Sequence, residues 1–179
     1  MKYISILRGI NVSGQKKIKM IELKLLYESL GFQNVVTYIQ SGNVIFDASD
    51  KNKSNIKTLI EEAIEKKYKF HVSVEIRTKR EIGNIIKNSP FGPVDLVEDG
   101  TKVLVTFLCT KPDKVKISNV LNYVVLPEKL VVKGKEVYLY CPNGYGKSKL
   151  SNTFLENKLG VKATTRNWKS VHKIYELLV

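Results

Sequence analysis

The first half of the chain alternates between two hydrophobic patterns, one with the two-residue period of a strand and one with the spacing of a helix face. Val72, Val74 and Ile76 alternate with polar residues, as in a strand that is buried on one face. Between residues 55 and 67, apolar residues recur at helical spacing, which predicts an amphipathic helix with Ser54 as its cap. The pattern predicts strands at 3–7, 34–39, 43–47 and 72–76, and helices at 20–30, at 55–67 and after a Thr78–Glu81 capping box.

The second half repeats this order of elements without a visible repeat of residues. It predicts strands at 102–109, 130–132, 136–141 and 161–165, and helices at 112–123, 148–160 and from Trp168 onward. Each half therefore reads β-α-β-β-α-β plus one more helix, and β-α-β-β-α-β is the ferredoxin-like arrangement. We predict an α+β fold with two ferredoxin-like units in tandem: a first unit at 1–88, a linker at 89–101 and a second unit at 102–179.

This element order carries an expectation about which loops can meet. We expect the loop after the first strand and the middle hairpin to lie at opposite edges of the first sheet, which would separate Arg8 from Gln40. The same reasoning separates Lys147 from Arg166 in the second unit. A single composite site would then need loops from both halves.

The charge balance favours an anionic partner. The formal net charge is +13, from 30 basic and 17 acidic residues, and the excess is spread along the chain rather than gathered in one block. Most of the basic residues are lysines, and a bias toward lysine codons in an A+T-rich genome explains this as well as a selected surface does. The few arginines, Arg8, Arg77, Arg80 and Arg166, are therefore the more informative positions. Nucleic acid or a phosphate-bearing small molecule is the kind of partner that this charge predicts.

Other classes of protein find little support in the sequence. Cys109 and Cys141 each end an apolar run and have no ligand-spaced neighbours, which predicts buried thiols in a reducing cytoplasm. No apolar run is long enough for a membrane span, and the N-terminus lacks the pattern of a secretory signal. No catalytic motif or metal signature is present, so we expect no metal and no cofactor, and the sequence favours a binding protein. A nucleophile and a base can still meet from distant positions in the chain, so an enzyme stays an alternative.

The stretch CPNGYGKSKLSN raises the question of a phosphate-binding loop. That motif needs a glycine five positions before Gly146, and Cys141 stands there, so the motif fails. A glycine-rich turn at a helix start could still bind an anion, although a tight turn with Ser148 as the helix cap is the preferred interpretation. The anion-binding candidates in this stretch are Asn143, Tyr145, Lys147, Ser148 and Lys149.

Three further stretches interrupt apolar elements with polar residues. Arg8 and Asn11 follow the first strand, where Arg8 could grip a phosphate or make a structural ion pair. Arg166 could meet an anion, while Thr165 or Asn167 could cap the last helix. The middle hairpin offers Gln40, Ser41 and Asn43 as ligand contacts, with hairpin register as the preferred role.

Strand aromatics provide one more test of nucleic-acid binding. An open ferredoxin-like sheet with exposed aromatic side chains is typical of RNA recognition. The strand candidates are Tyr38, Phe46, Phe107, Tyr138 and Tyr140. If the sheets are covered, these side chains would instead belong to the core.

The stretches RGINVSG, YIQSGNVIF, PNGYGKSKLSN and TTRNW, taken together, resemble a mainly bacterial family catalogued as domain of unknown function 1697. Two positions depart from the family pattern: Ser13 stands where glycine is usual, and Lys147 where arginine is frequent. The resemblance implies a cytoplasmic protein with a duplicated ferredoxin-like fold. It implies no activity and no catalytic residues.

These observations lead to three hypotheses. The first is a binding module for an anionic partner, either nucleic acid or a nucleotide-like ligand. The second is an enzyme that acts on a small phosphorylated or carboxylated substrate between the two halves. The third is a scaffold for protein interactions, for which pairing through a sheet edge would be the main sign.

Overall fold

The computed structural model describes all 179 residues. Two compact units divide the chain: Met1–Gly83 with Ile174–Val179 form the first, and Asn84–Lys173 form the second. The elements of the first half are β1 Lys2–Leu7, α1 Met20–Ser29, β2 Gln33–Tyr38, β3 Asn43–Asp47, α2 Lys53–Tyr68, β4 Val74–Thr78 and α3 Lys79–Lys87. The elements of the second half are β5 Val103–Leu108, α4 Lys114–Leu121, β6 Lys129–Lys133, β7 Glu136–Tyr140, α5 Asn152–Leu159, β8 Ala163–Asn167 and α6 Trp168–Leu177. The expected domain boundaries at residues 88 and 102 stay predictions.

Each unit contains one four-stranded sheet with the same topology. The strand order is β2-β3-β1-β4 in the first unit and β6-β7-β5-β8 in the second, and every neighbouring pair is antiparallel. This order, with the helices that follow the first and third strand of each unit, is the ferredoxin-like arrangement. The predicted α+β fold with two tandem ferredoxin-like units is confirmed.

The core of the first unit lies between its sheet and the helices α1 and α2. An aromatic cluster forms its centre, where the Phe46 ring lies 4.5 Å from Phe32 and 5.4 Å from Tyr27. The buried Tyr27 hydroxyl pairs with Ser5 Oγ at 2.8 Å. Ile56, Ile60 and Ile64 bury one stripe of α2, and each such side chain stabilises the fold by about 2 kcal/mol. Leu59, which the pattern placed on the same face, is 42% exposed, so the buried stripe is narrower than predicted.

The core of the second unit is built in the same way. Leu104 and Leu139 from the sheet pack with Leu155 and Leu159 from α5 in one buried cluster. On the other face of this sheet, Phe107 and Tyr138 are also buried, and the Tyr138 hydroxyl donates to the carbonyl of Ile85 at 3.1 Å. Phe107 and Tyr138 therefore do not form the open aromatic surface that typifies RNA recognition, whereas Tyr140 is partly exposed.

Helix caps test the local predictions. The Thr78–Glu81 capping box is present: Thr78 Oγ1 accepts from the Glu81 N–H at 3.3 Å, and Glu81 Oε2 accepts from the Thr78 N–H at 2.8 Å. The prediction of Ser54 as the α2 cap is wrong, because Asn52 Oδ1 accepts from the Ser54 N–H at 2.9 Å and the helix begins at Lys53, two residues before the predicted start. None of the six helices combines the length and the apolar character that a bilayer crossing needs.

Candidate functional site

The end of β1 and the β2–β3 hairpin meet at one edge of the first sheet. Ile6 pairs with Asn43 across the two strands, and the Leu7 N–H donates to the Gly42 carbonyl at 2.8 Å. The expectation that Arg8 and Gln40 lie at opposite edges is therefore wrong. The reason is strand direction: β1 and β2 are both antiparallel to β3, so both end at the edge where the hairpin turns.

Side chains at this edge bind the loops to one another. The Asn11 amide donates to the carbonyls of Ile18 and Gln40, each at 2.9 Å, and its oxygen accepts from the Ile18 N–H at 2.9 Å. The buried Asn43 amide donates to the Tyr38 carbonyl at 3.0 Å, across the hairpin. Both residues therefore satisfy backbone groups of their own unit, which is the hairpin role that the sequence favoured for Asn43.

The remaining candidates at this edge have different environments. Arg8 is half-buried, and its N–H donates to the Ser73 carbonyl at 2.9 Å. Ser41 is half-buried and accepts from the Asn43 amide at 3.2 Å, while the Gln40 side chain is exposed. Gly42 has a φ of +82°, and an added Cβ would lie 2.6 Å from Ile10, so both backbone conformation and space require glycine here.

The corresponding polar stretches of the second unit also share an edge. Val103 at the start of β5 pairs with Tyr140 at the end of β7, and Leu104 pairs with Asn167 at the end of β8. The stretch after β7 and the end of β8 are therefore neighbours. The predicted separation of Lys147 from Arg166 is wrong for the same reason of strand direction.

Arg166 lies inside the second unit rather than on its surface. Its guanidinium donates to Thr164 Oγ1 at 3.1 Å and to the Thr165 carbonyl at 2.9 Å. Burial lowers the pKa of Arg166 to about 10, because a charged group loses its hydration there. Asn167 caps α6, since its side-chain oxygen accepts from the Ser170 N–H at 2.9 Å.

A partly buried polar network connects β8 to the start of α5. The Thr165 hydroxyl donates to Asn152 Oδ1 at 2.9 Å and pairs with Thr106 Oγ1 at 2.7 Å. The Asn152 amide donates to the Ala163 carbonyl at 3.0 Å. The Tyr145 hydroxyl is shielded from solvent next to Thr165 but makes no hydrogen bond of normal geometry, and burial raises its pKa.

The Gly-Lys-Ser triplet does not start a helix. Residues Tyr145–Lys147 form a single 3₁₀ turn, and α5 begins only at Asn152, where Ser151 Oγ accepts from the Phe154 N–H at 3.2 Å. The prediction of Ser148 as helix cap is wrong, and so is the prediction that a helix starts at this glycine-rich turn. Anion binding by this stretch stays a prediction. Leu150 is fully buried, so the chain first enters the core, and Ser148 Oγ accepts from the Leu150 N–H at 3.0 Å.

An open groove of about 740 Å³ lies beside this stretch in the second unit. We call it the lysine groove. It is lined by Tyr123, Val125, Leu126, Pro127, Glu128, Pro142, Asn143, Lys147 and Lys149. Asn143, Lys147 and Lys149 are exposed, and neither lysine is paired with a carboxylate. Glu128 is the acidic residue of the lining, and it is half-buried.

The other lining of the lysine groove is apolar and exposed. Leu126 is 87% exposed and Val125 is 62% exposed, which is unusual for large aliphatic side chains in sequence neighbours. A further lysine lies against Tyr123: Lys158 Nζ is 4.4 Å from the ring centroid and donates to the Tyr123 hydroxyl at 2.9 Å. The groove therefore joins unpaired positive charge to apolar surface.

Comparison with known proteins places the chain among relatives of unknown activity. Residues 1–138 match the family described as "Protein of unknown function (DUF1697)". The chain belongs to the DUF1697 family. The match ends before PNGYGKSKLSN and TTRNW, so it covers only the first two of the four stretches that suggested the family.

This DUF1697 chain is also similar to the solved structure of a bacterial protein. The structure of the conserved bacterial protein SP0830 from Streptococcus pneumoniae is similar with a TM-score of 0.76 at 24% sequence identity. The similarity covers 99% of this chain and 98% of that chain, and it shows a shared fold. Comparison with curated proteins gives no significant match.

In this DUF1697 protein, only part of the predicted site residues come together on a surface. Asn143, Lys147 and Lys149 line one groove, whereas Tyr145 and Arg166 point their polar groups into the unit. The sequence analysis missed the segment from Tyr123 to Glu128, which forms the apolar lining. The local signal was weak, because a short apolar run such as the one before Pro127 is as typical of a buried segment as of a connection.

Proposed function

We propose that this protein is a binding module for an anionic partner, either nucleic acid or a nucleotide-like ligand, and that the lysine groove is its binding site. The observation that supports this proposal is the pair of exposed lysines, Lys147 and Lys149, without carboxylate partners and beside an exposed apolar lining. Lysine is a flexible point charge that suits phosphate groups. The enzyme and scaffold hypotheses gain no comparable observation.

The magnitudes explain why both parts of the groove matter. A phosphate about 4 Å from an exposed lysine gains only about 1 kcal/mol in water. Two such contacts alone give binding weaker than about 1 mM. Burial of roughly 100 Å² of a flat apolar ring adds about 2.5 kcal/mol. A ligand that combines phosphate with an apolar ring therefore fits this groove better than inorganic phosphate does.

Fluorescence anisotropy on the full chain tests this proposal. The probes are a fluorescently labelled nucleotide and a labelled single-stranded oligonucleotide, titrated at several salt concentrations. We expect Lys147→Ala/Lys149→Ala to weaken binding by about tenfold at low salt and to reduce the salt dependence.

The net charge of +13 requires a matched control, because it attracts any anion at low salt. Lys111→Ala/Lys135→Ala removes the same charge at the opposite end of the second sheet, where the backbone carbonyl of Lys135 accepts from the Leu108 N–H. We expect this control to change the affinity by less than about twofold. Equal losses in the two double variants would reject the lysine groove as the site. Negligible affinity for DNA, RNA and nucleotides at low salt would reject the function itself.

A further inference from the structure

A second groove, of about 680 Å³, lies in the same unit and carries aromatic rings. We call it the aromatic groove, and its lining includes Pro90, Phe91, Asp99, Val124, Lys129 and Tyr140. The rings of Phe91 and Tyr140 are 6.2 Å apart, and Lys129 Nζ lies 5.8 Å from the Tyr140 centroid. Phe91 and Tyr140 are both partly exposed and line this groove.

The two grooves adjoin along two segments of the chain. Val124 lines the aromatic groove, and its neighbours Tyr123 and Val125 line the lysine groove. In the same way Tyr140 lines the aromatic groove and Pro142, two residues later, lines the lysine groove. Residues 123–125 and 140–142 therefore contribute to both linings, so the two grooves border each other along these segments.

The charges along this surface favour a polyanion. Lys129 is exposed and has no carboxylate partner, so it adds to the charge of Lys147 and Lys149. Asp99, the acid of the aromatic groove, is neutralised by Lys102 at 3.0 Å. Glu128 in the lysine groove is left as the one opposing carboxylate of the two linings.

We propose that the two grooves form one continuous track for single-stranded nucleic acid, with phosphates at Lys129, Lys147 and Lys149 and a base stacked on Tyr140 beside Phe91. This inference rests on the proposed function, because it needs the lysine groove to hold phosphate. Aromatic platforms next to lysines are how proteins bind single strands without sequence preference, since every unpaired base offers a flat face. Each groove alone has the volume of a small-molecule site, so a mononucleotide would occupy only one of them.

The dependence of affinity on strand length tests the track. Labelled thymidine mononucleotide, an oligothymidylate of about four nucleotides and one of about twelve are titrated into the full chain. The longer strands are expected to bind at least about tenfold more tightly than the mononucleotide, because only they reach both grooves. Oligouridylates of the same lengths show whether the strand is DNA or RNA, and either preference supports the track.

Two variants at one position separate stacking from folding. Tyr140→Phe keeps the ring and is expected to keep the length advantage, whereas Tyr140→Leu keeps an apolar side chain and is expected to lose about tenfold for the longer strands only. Thermal unfolding of both variants shows that the unit is intact. Glu128→Gln removes the opposing charge and is expected to tighten binding of every probe by a few fold, roughly one charge contact.

The outcomes distinguish this inference from the function on which it rests. If the mononucleotide binds and Lys147→Ala/Lys149→Ala weakens it, but affinity does not rise with length, the track is overturned and the proposed function stands. The track is also overturned if inorganic polyphosphate competes as well as the oligonucleotide, or if Tyr140→Phe and Tyr140→Leu bind alike. If no probe binds, both proposals fail.

Discussion

Two sheet edges of this protein collect the polar stretches that stand out in its sequence, and they are built in different ways. At the edge of the first unit, the side-chain amides of Asn11 and Asn43 donate hydrogen bonds to backbone carbonyls of neighbouring loops. At the edge of the second unit, Lys147 and Lys149 line a groove and have no carboxylate partner. The two edges also differ in their place within the shared topology. The first edge lies where the first strand of its unit, β1, ends, and the second lies where the first strand of its unit, β5, begins.

The difference shows how a polar motif should be interpreted. Asparagine carries both donors and an acceptor, so within a loop it can satisfy the backbone and fix the conformation. Lysine has donors only and a charge, so without a nearby acid it stays available for a ligand. We therefore expect the side chains of the first edge to stabilise the fold, and we propose the second edge as the one that binds a ligand; substitutions can separate the two roles.

The largest expected effect is the loss of the Asn11 side chain. Asn11→Ala removes three hydrogen bonds and leaves alanine at a φ of +55°. At about 1 kcal/mol per hydrogen bond and a further 1 kcal/mol or so for the left-handed backbone, the loss is about 4 kcal/mol of unfolding free energy. Urea denaturation measures it, and binding of the anionic probes should not change while the protein is folded.

Asn11→Gly is the matched control for this prediction. Glycine loses the same hydrogen bonds but adopts the left-handed conformation freely, so it should be more stable than the alanine variant by about 1 kcal/mol. If Asn11→Ala left stability unchanged and weakened ligand binding instead, the assignment of the first edge to folding would be wrong.

The second prediction is that hydrogen bonds of Asn152, at the edge of the second unit, stabilise that unit. Asn152→Ala removes the hydrogen bonds to Ala163 and Thr165 inside the second unit. We expect a loss of about 2 kcal/mol in urea denaturation. Asn157→Ala, at an exposed position on the same helix, should cost less than about 0.5 kcal/mol. Equal small losses would mean that the network does not stabilise the unit.

Much of the fold could be predicted because hydrophobic period follows secondary structure closely. Alternation placed β4, and the apolar runs placed β1, β3, β5 and β7 within one or two residues. Helix starts were harder where several capping residues follow one another. Asn52 and Ser54 both precede α2, and the sequence alone cannot decide which side chain reaches the free N–H groups.

The candidate site could be predicted only in part, for a physical reason. Lys147 and Lys149 were visible as charge near a glycine-rich turn, but the apolar lining comes from the connection between α4 and β6. Nothing in the local sequence from Tyr123 to Glu128 shows that tertiary structure brings it beside Pro142. For Arg166 the sequence suggested more exposure than the structure shows. The arginine follows a polar stretch and looks available to an anion, but its neighbours in the fold bury it.

The third prediction compares equivalent helix starts in the two units. Thr78 caps α3 after the fourth strand of the first unit, and Asn167 caps α6 after the fourth strand of the second. Thr78→Ala and Asn167→Ala should each cost about 1 kcal/mol of unfolding free energy. Thr78→Ser keeps a hydroxyl acceptor and should restore most of the loss. A cost confined to one of the two alanine variants would show that the repeated topology does not repeat the cap energetics.

The smallest expected effect is a difference between these two caps in how their contribution to stability depends on pH. Burial raises the pKa of Glu81, but the hydrogen bonds from Lys53 at 2.6 Å and from the Thr78 N–H and hydroxyl outweigh it, so the net pKa lies below its ordinary value of 4.5. A lowered pKa means that the ionised carboxylate stabilises the folded state above pH 4.5, and that this contribution is lost as the pH falls through the pKa of the folded state. The side chain is 38% exposed, so solvent screening limits the effect to a few tenths of a kcal/mol.

Glu81→Gln should therefore flatten the acid side of the curve of stability against pH, whereas Asn167, an amide, gives the second unit's cap no such pH dependence. Urea denaturation between about pH 3 and pH 7 measures the difference, and parallel curves for wild type and Glu81→Gln would show that the carboxylate charge does not stabilise this cap.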